Sequence, residues 1–214
     1  MNDFKFNTIK DFDNHISNSI KGYSLLHDLI VNISSYFIKK DAMICDLGTT
    51  TGLLPIKLNN RYDCKVTGYD IIDDNFINAK SSKVELKKAN ILEIELPKSN
   101  LFFSVFTLQF LPIEKRLPLL KKIYASLNKS GALIICEKEY TENALTQEIF
   151  TFCNYENKIN FFTAEDILSK EKQLRHSMQC LTKKENEMLF KKAGFKTPQV
   201  FFKSLNFTGY ILIK

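Results

Sequence analysis

One segment of the chain combines residue types and spacing suited to holding a ligand: Asp46-Leu47-Gly48-Thr49-Thr50-Thr51-Gly52. It follows a short apolar run from Ala42 to Leu47 and precedes a helical stretch that opens at Leu53, which is the order strand, tight turn, helix. Glycines at 48 and 52 let the backbone approach a ligand without a Cβ in the way, and the helix that follows points unbonded N–H groups at it. The three-glycine dinucleotide fingerprint would need a glycine where Thr50 stands, so a nicotinamide cofactor is not expected. Asp70 ends the next apolar run, 22 residues after Gly48, where a carboxylate can accept hydrogen bonds from both ribose hydroxyls of an adenosine. Alone it would read as a solvated turn aspartate; beside the loop it reads as a ribose acid. Asn90, just past the third strand, is placed to read an adenine amino group, with Ile71 and Ile91 flanking the ring.

Glu137 and Lys138 end a later strand, on the carboxyl edge where open α/β sheets bind substrates. They read either as substrate contacts or as a surface pair. His15, His27 and His176 lie far apart, and none has a cysteine or carboxylate at zinc-ligand spacing, so no metal site is expected. The five cysteines are odd in number, scattered and free of Cys-x-x-Cys, the pattern of reduced packing thiols in a cytoplasmic protein. The formal charge of +6 is spread over Lys-Lys pairs at 39–40, 87–88, 121–122, 183–184 and 191–192. Each stands beside apolar residues, as solvated faces do, rather than forming a nucleic-acid patch. With 44% hydrophobic and 25% charged residues in 214, the chain excludes wholesale disorder, a fibrous repeat and a disulfide scaffold. No run is apolar enough for a signal peptide or a membrane span, so no membrane partner is expected.

The elements that must carry these residues alternate. Leu26, Leu29, Ile30, Ile33 and Phe37 recur at helical spacing between Tyr23 and Lys39. After the glycine loop come Cys64 to Asp70 as strand, Asp73 to Lys80 as helix, and Val84 to Lys88 and Leu101 to Phe106 as strands. A helix through Leu117, Leu120, Tyr124 and Leu127, a turn at Lys129-Ser130-Gly131 and the strand Ala132 to Cys136 follow. This alternation predicts βαβ units and a mostly parallel sheet. Residues 140–180 read as a helical insertion with aromatic surface (Phe150, Phe152, Tyr155, Phe161, Phe162), suited to a site cover, a dimer face or ordinary core-covering helices. The end of the chain reads as a helix over Glu185 to Lys192 and two strands, Gln199 to Lys203 and Phe207 to Ile213. A link as short as Ser204-Leu205-Asn206 forces those strands to pair antiparallel.

The acid and glycines of 46–52, the acid at Asp70 and the terminal hairpin resemble the class I S-adenosylmethionine-dependent methyltransferases over nearly the whole chain. Within that superfamily the sequence is most similar to the carboxy-S-adenosylmethionine synthase family, which uses prephenate to convert the methyl sulfonium into a carboxymethyl one in a tRNA wobble-uridine modification pathway. The likeness is carried by Ser19-Ile20-Lys21-Gly22-Tyr23-Ser24, Asp46-Leu47-Gly48, Phe106-Thr107-Leu108-Gln109-Phe110-Leu111, and Lys122-Ile123-Tyr124 through Gly131-Ala132-Leu133. The resemblance implies a Rossmann-like α/β fold with a mostly parallel seven-stranded sheet and a C-terminal antiparallel hairpin, as one domain over 1–214 with N-terminal helices over 1–40. It implies S-adenosyl-L-methionine as cofactor, held by Tyr23 at its amino-acid end, by Asp46, Gly48, Thr49, Thr50 and Gly52 in the loop, by Asp70 and Ile71, and by Asn90 and Ile91. It also implies a homodimer.

Two positions depart from the family. Val105 stands where an asparagine contacts the cofactor, offering only apolar surface. In ungapped alignment Glu171 falls where an arginine clamps the added carboxylate, a charge that would repel it; Arg175 could replace that arginine only if the register slips by about one helical turn. A sulfonium-bound methyl is already activated, so the protein chiefly aligns a nucleophile and excludes water, and no catalytic residue is named. The reading that follows is methyl transfer to a small molecule or a nucleic-acid base. Carboxy-S-adenosylmethionine synthesis is the alternative within the same fold, and a non-catalytic cofactor-binding subunit is a third.

Overall fold

A computed structural model of the chain describes residues 11–77 and 81–214. In chain order the elements are α1 (Phe12–Ser19), α2 (Tyr23–Ser34), β1 (Met43–Leu47), α3 (Leu53–Tyr62), β2 (Lys65–Asp70), β3 (Val84–Lys88), β4 (Ser99–Val105) and α4 (Ile113–Ser126). They continue as β5 (Leu127–Tyr140), α5 (Ala144–Lys158), α6 (Ala164–Leu174), β6 (Leu181–Thr182), α7 (Lys183–Ala193), β7 (Gln199–Ser204) and β8 (Phe207–Ile213).

Among the described residues seven strands lie side by side in the order β3-β2-β1-β4-β5-β8-β7, and the two-residue β6 pairs with the far end of β5. Strands β1 to β5 pair parallel, whereas β8 runs antiparallel to both β5 and β7. The expected mixed α/β sheet with a terminal antiparallel hairpin is therefore present. Successive residues of a strand face opposite sides, and β1 feeds two cores in this way. Ile44 joins Leu101 and Phe103 beneath Tyr23, Leu26 and Ile30 of α2 and Leu54 and Leu58 of α3. Cys45 and Leu47 join Phe102 beneath Leu119, Leu120 and Ile123 of α4 and Phe190 of α7. The chain goes outward from β1 through β2 to β3 and then returns to β4 on the other side of β1. Above that reversal the βα loops part and leave a crevice at the carboxyl ends of the strands.

Two local expectations are corrected. Residues 73–77 of the expected 73–80 helix form a turn, and 78–80 lie outside the described residues. The helical ladder is forgone because the Ile77 N–H donates to the Thr51 carbonyl of the glycine loop (2.9 Å) while Asp73 pairs with Lys88 of β3 at 2.7 Å. The expected turn at 129–131 is an irregularity inside β5. Ser99 pairs with Leu127 and Leu101 with Ala132, so four β5 residues bulge opposite Asn100.

The hairpin is locked to β5 by one buried carboxylate. Glu139 accepts hydrogen bonds from Asn186 of α7 (3.1 Å), Lys203 of β7 (3.2 Å), and Thr208 and Tyr210 of β8. Four donors on three elements thus converge on one acid, and removing it takes that partner from the buried Asn186, Thr208 and Tyr210, while the exposed Lys203 keeps Thr208. Glu139→Ala is expected to lower the unfolding free energy by about 3 kcal/mol or more, from three buried donors losing a partner, and Glu139→Gln by less, read from urea unfolding curves.

Candidate functional site

A cavity of about 390 Å³ occupies the crevice, within the range of small-ligand sites. Its floor is the loop after β1. There the Gly48 and Thr49 N–H groups donate to the Tyr69 carbonyl (2.8 and 3.0 Å), and the Thr50 N–H donates to Asp70 Oδ2 (2.8 Å). Asp70 Oδ1 accepts from the Ile72 N–H at 3.0 Å. Each carboxylate oxygen has more than one acceptor site, so the acid is fixed by the backbone and still able to bind hydroxyls. Gly48 has a φ of +81°, and a Cβ there would lie 2.2 Å from Thr107 Oγ1. Only glycine fits both the conformation and the space.

The cavity wall includes Tyr23, Asp46, Gly48, Thr49, Thr50, Asp70, Ile71, Asn90, Ile91, Val105 and Lys138, so the structure brings most of the sequence-derived residues together. Three stand elsewhere. Gly52 is needed beneath Leu86, whose Cδ1 would be 2.5 Å from a Cβ at a φ of +84°; its role is packing. Glu137 is fully buried and accepts the Leu108 N–H at 3.1 Å, so it holds the 107–110 segment instead of facing the cavity. Arg175 lies off the wall, and its charge reaches Glu171, Tyr140 and Tyr155. The Asn90 amide is turned into its own loop, accepting from the Leu92 N–H (3.1 Å) and donating to Glu93 (2.8 Å).

The charges on the wall divide into two ends, set by strand order. On the β1–β2 side, burial pushes the Asp46 carboxyl up to about 7, against a 2.7 Å hydrogen bond from Thr49 and with help from Asp70. Asp70 is also raised, mainly by burial. Asp13 of α1, bonded to Thr51 at 3.0 Å, adds a third acid. From β5 onward the wall carries Lys138 of β5, Lys158 of α5, and Lys170 and Glu171 of α6. Lys158 pairs with Glu171 at 3.2 Å. Burial pushes the Glu171 carboxyl up, but Lys138, Lys158 and Arg175 outweigh it and hold it below the ordinary carboxylate range. Glu171 therefore does not present an unbalanced negative charge to the cavity, as its position in the sequence suggests. Lys170, in contact with His15, is pulled down to about 8 by burial and then by Lys158, with Glu171 opposing. Among the described residues three cations face one acid at this end.

Behind the wall, fully buried Arg116 donates to the carbonyls of Leu111 (3.0 Å), Gln109 (3.2 Å) and Gln179 (2.7 Å). Gln109 Oε1 accepts the Lys138 N–H at 2.7 Å. Burial pushes Glu137 up to about 8, while Arg116 and the N–H groups of Leu108 and Gln109 pull it back. Sequence reasoning does not single out Asp13, His27, Lys158, Lys170 or Arg116. Their one local signal is a polar residue interrupting an apolar helical face, as His27 does one turn after Tyr23. Among the described residues no three His, Cys, Asp or Glu side chains could together hold a metal ion, and no helix is long and apolar enough to cross a membrane.

No family model matches the chain. It is similar to the carboxy-S-adenosyl-L-methionine synthase of Staphylococcus epidermidis, with 28% identity over 97% of this chain and 94% of that protein. It is 32% identical to the Campylobacter jejuni protein of the same name, over 95% of this chain and 90% of that one. Among solved structures, human N-acetylserotonin methyltransferase in complex with S-adenosylmethionine superposes with a TM-score of 0.57 at 20% identity. That match covers 88% of this chain but only 55% of the human one, and it speaks to the fold alone.

Gly48→Ala is expected to cost about 2 kcal/mol or more, a fall in Tm of at least about 4 °C. The same variant should lose binding of adenosine-bearing ligands in calorimetry, since its methyl must displace Thr107 or the loop.

Proposed function

The chain belongs to the carboxy-S-adenosyl-L-methionine synthase family, and from that premise we propose that it is an S-adenosylmethionine-dependent transferase whose second substrate carries a carboxylate. The observation behind this reading is the cationic wall of Lys138, Lys158 and Lys170, where Lys158 neutralises Glu171. A carboxylate entering a partly desolvated site needs such compensation. On this reading the lysines do the work of the arginine that Glu171 replaces, and the reaction is formation of the carboxymethyl cofactor from prephenate.

The residues fit the cofactor. Gly48 leaves a cradle that a Cβ would fill, Asp70 is oriented by two backbone N–H groups, and Asp46 offers a carboxyl to a positively charged ligand. Bound S-adenosylmethionine supplies a carbon activated by its sulfonium. The chain's own contribution is to orient and enclose it: Asp70 takes the ribose hydroxyls, Ile71 and Ile91 cover the adenine with Asn90 at its edge, and Tyr23 meets the amino-acid end. Val105 and Phe106 line the cavity with apolar surface, which excludes water from the reacting carbon.

Methyl transfer to a small molecule or a nucleic-acid base is the second reading. It is favoured by the apolar Val105 and by the position of Arg175 off the wall. For assembly we propose a homodimer, supported by the exposed Leu145, Ile149, Phe152, Phe161 and Leu168 in and beside α5 and α6.

Incubation with S-adenosylmethionine and prephenate, followed by mass spectrometry of the small molecules, is expected to yield a cofactor carrying one added carboxylate. Retention of unaltered S-adenosylmethionine, with methyl transfer to another acceptor, would select the second reading. A pH dependence follows from Lys170, which is a cation below about 8 and loses its proton above it. Affinity for an anionic second substrate, read as KM or by calorimetry, is expected to fall as pH rises through about 8, by up to about tenfold per pH unit.

A further inference from the structure

Among the described residues, the two ring nitrogens of His27 are the only buried side-chain polar atoms without a hydrogen-bond partner. The residue is 3% exposed and lines the cavity. Buried polar groups are nearly always paired, and each exception calls for an explanation, because a donor or acceptor left without a partner costs about 1–3 kcal/mol. Position 27 lies on the buried stripe of α2 with Tyr23, Leu26 and Ile30, where a leucine would pack without that cost.

The chemistry this side chain can offer is defined. Burial, with the charge of Lys57 adding, pushes its pKa down to about 4, so the ring is neutral at physiological pH. A neutral imidazole has one N–H donor and one bare nitrogen acceptor. Its place in the cavity is defined too. His27 follows Tyr23 by one helical turn, and the two rings are 4.4 Å apart. Helix α2 shares its core with Ile44 of β1, Leu54 and Leu58 of α3 and Phe103 of β4, and burial together with the charges of Asp13 and Asp46 pushes the Tyr23 hydroxyl up. His27 therefore stands on the cavity wall beside Tyr23, the residue read as meeting the amino-acid end of the cofactor.

From this we infer that His27 is a cofactor-positioning residue whose ring nitrogens hydrogen-bond the α-amino-acid end of the bound molecule, a zwitterion with N–H donors and carboxylate acceptors. The inference rests on the reading that the cavity takes S-adenosylmethionine. The zwitterion offers the buried imidazole both an acceptor and a donor, one for each ring nitrogen.

The test compares the wild type, His27→Leu and His27→Gln by calorimetry with two probes, S-adenosylmethionine and 5′-methylthioadenosine, which lacks the amino-acid end. His27→Leu is expected to bind S-adenosylmethionine at least about tenfold more weakly and 5′-methylthioadenosine as the wild type does. His27→Gln, which keeps a donor and an acceptor, should recover part of the loss. The ligand-free Tm of His27→Leu should equal or exceed that of the wild type, since an unpaired polar group has been removed. Equal affinity of wild type and His27→Leu for S-adenosylmethionine would overturn the inference alone. So would equal losses for both probes, or a lower ligand-free Tm for His27→Leu, either of which marks a packing role. Failure of the wild type to bind S-adenosylmethionine would overturn the underlying reading and this inference with it.

Discussion

The close approach of Gly48 to Thr107 is the constraint on which the rest of the site depends. It brings the loop after β1 against the segment leaving β4, with no space for even a methyl group between them. That segment is held from below by Glu137 at the Leu108 N–H and by Arg116 at the carbonyls of Gln109 and Leu111. Gln109 in turn accepts the Lys138 N–H, so the cationic wall inherits its position from the same segment. On the other side the loop is tied to β2 through the Tyr69 carbonyl and the Asp70 carboxylate. Two motifs about sixty residues apart thus form one mechanical unit, and a shift in either reaches both ends of the cavity.

The buried charges of this unit are retained for position more than for stability. Arg116 bonds three carbonyls and feels Glu137, whose carboxyl burial pushes up to about 8 against the pull of that guanidinium. A guanidinium suits such a place because its rigid fork offers several donors and it stays charged when buried. Hydrophobic replacements of similar volume often match the stability of such clusters, but none would fix the direction of three carbonyls at once. Glu139 does the same for the terminal hairpin, gathering donors from α7, β7 and β8.

The features legible in the sequence are those whose cause is local. The glycine loop, the acid ending β2 and the short link before β8 each follow from a few adjacent residues, and the structure places them accordingly. The turn at 73–77 was not legible, because the competing partners, Thr51 and Lys88, come from other elements. Gly52 looks like a ligand glycine in the sequence and is a packing glycine only because Leu86 of β3 lies over it. Glu171 reads as a repulsive charge until α5 brings Lys158 to it from thirteen residues earlier. Helical and strand periods report which face is buried; they carry no information about which distant charge will meet it.

The two ends of the cavity differ in the sign of ligand they suit. Asp46 has a folded pKa near 7, far above the ordinary carboxylate value. The native state therefore holds a proton that the unfolded chain releases at lower pH, so Asp46 lowers the stability of the ligand-free fold as pH rises from the carboxylate range through about 7. A cationic ligand beside it favours the ionised form and reverses that loss. At the other end the sign is inverted, because Lys170 is pulled down by burial and by Lys158, and an anion beside it favours the protonated form. Each end is thus strained by burying its own charge, and each is relieved by a ligand of the opposite sign. The electrostatic cost of building each end is the same cost that a ligand of opposite sign offsets.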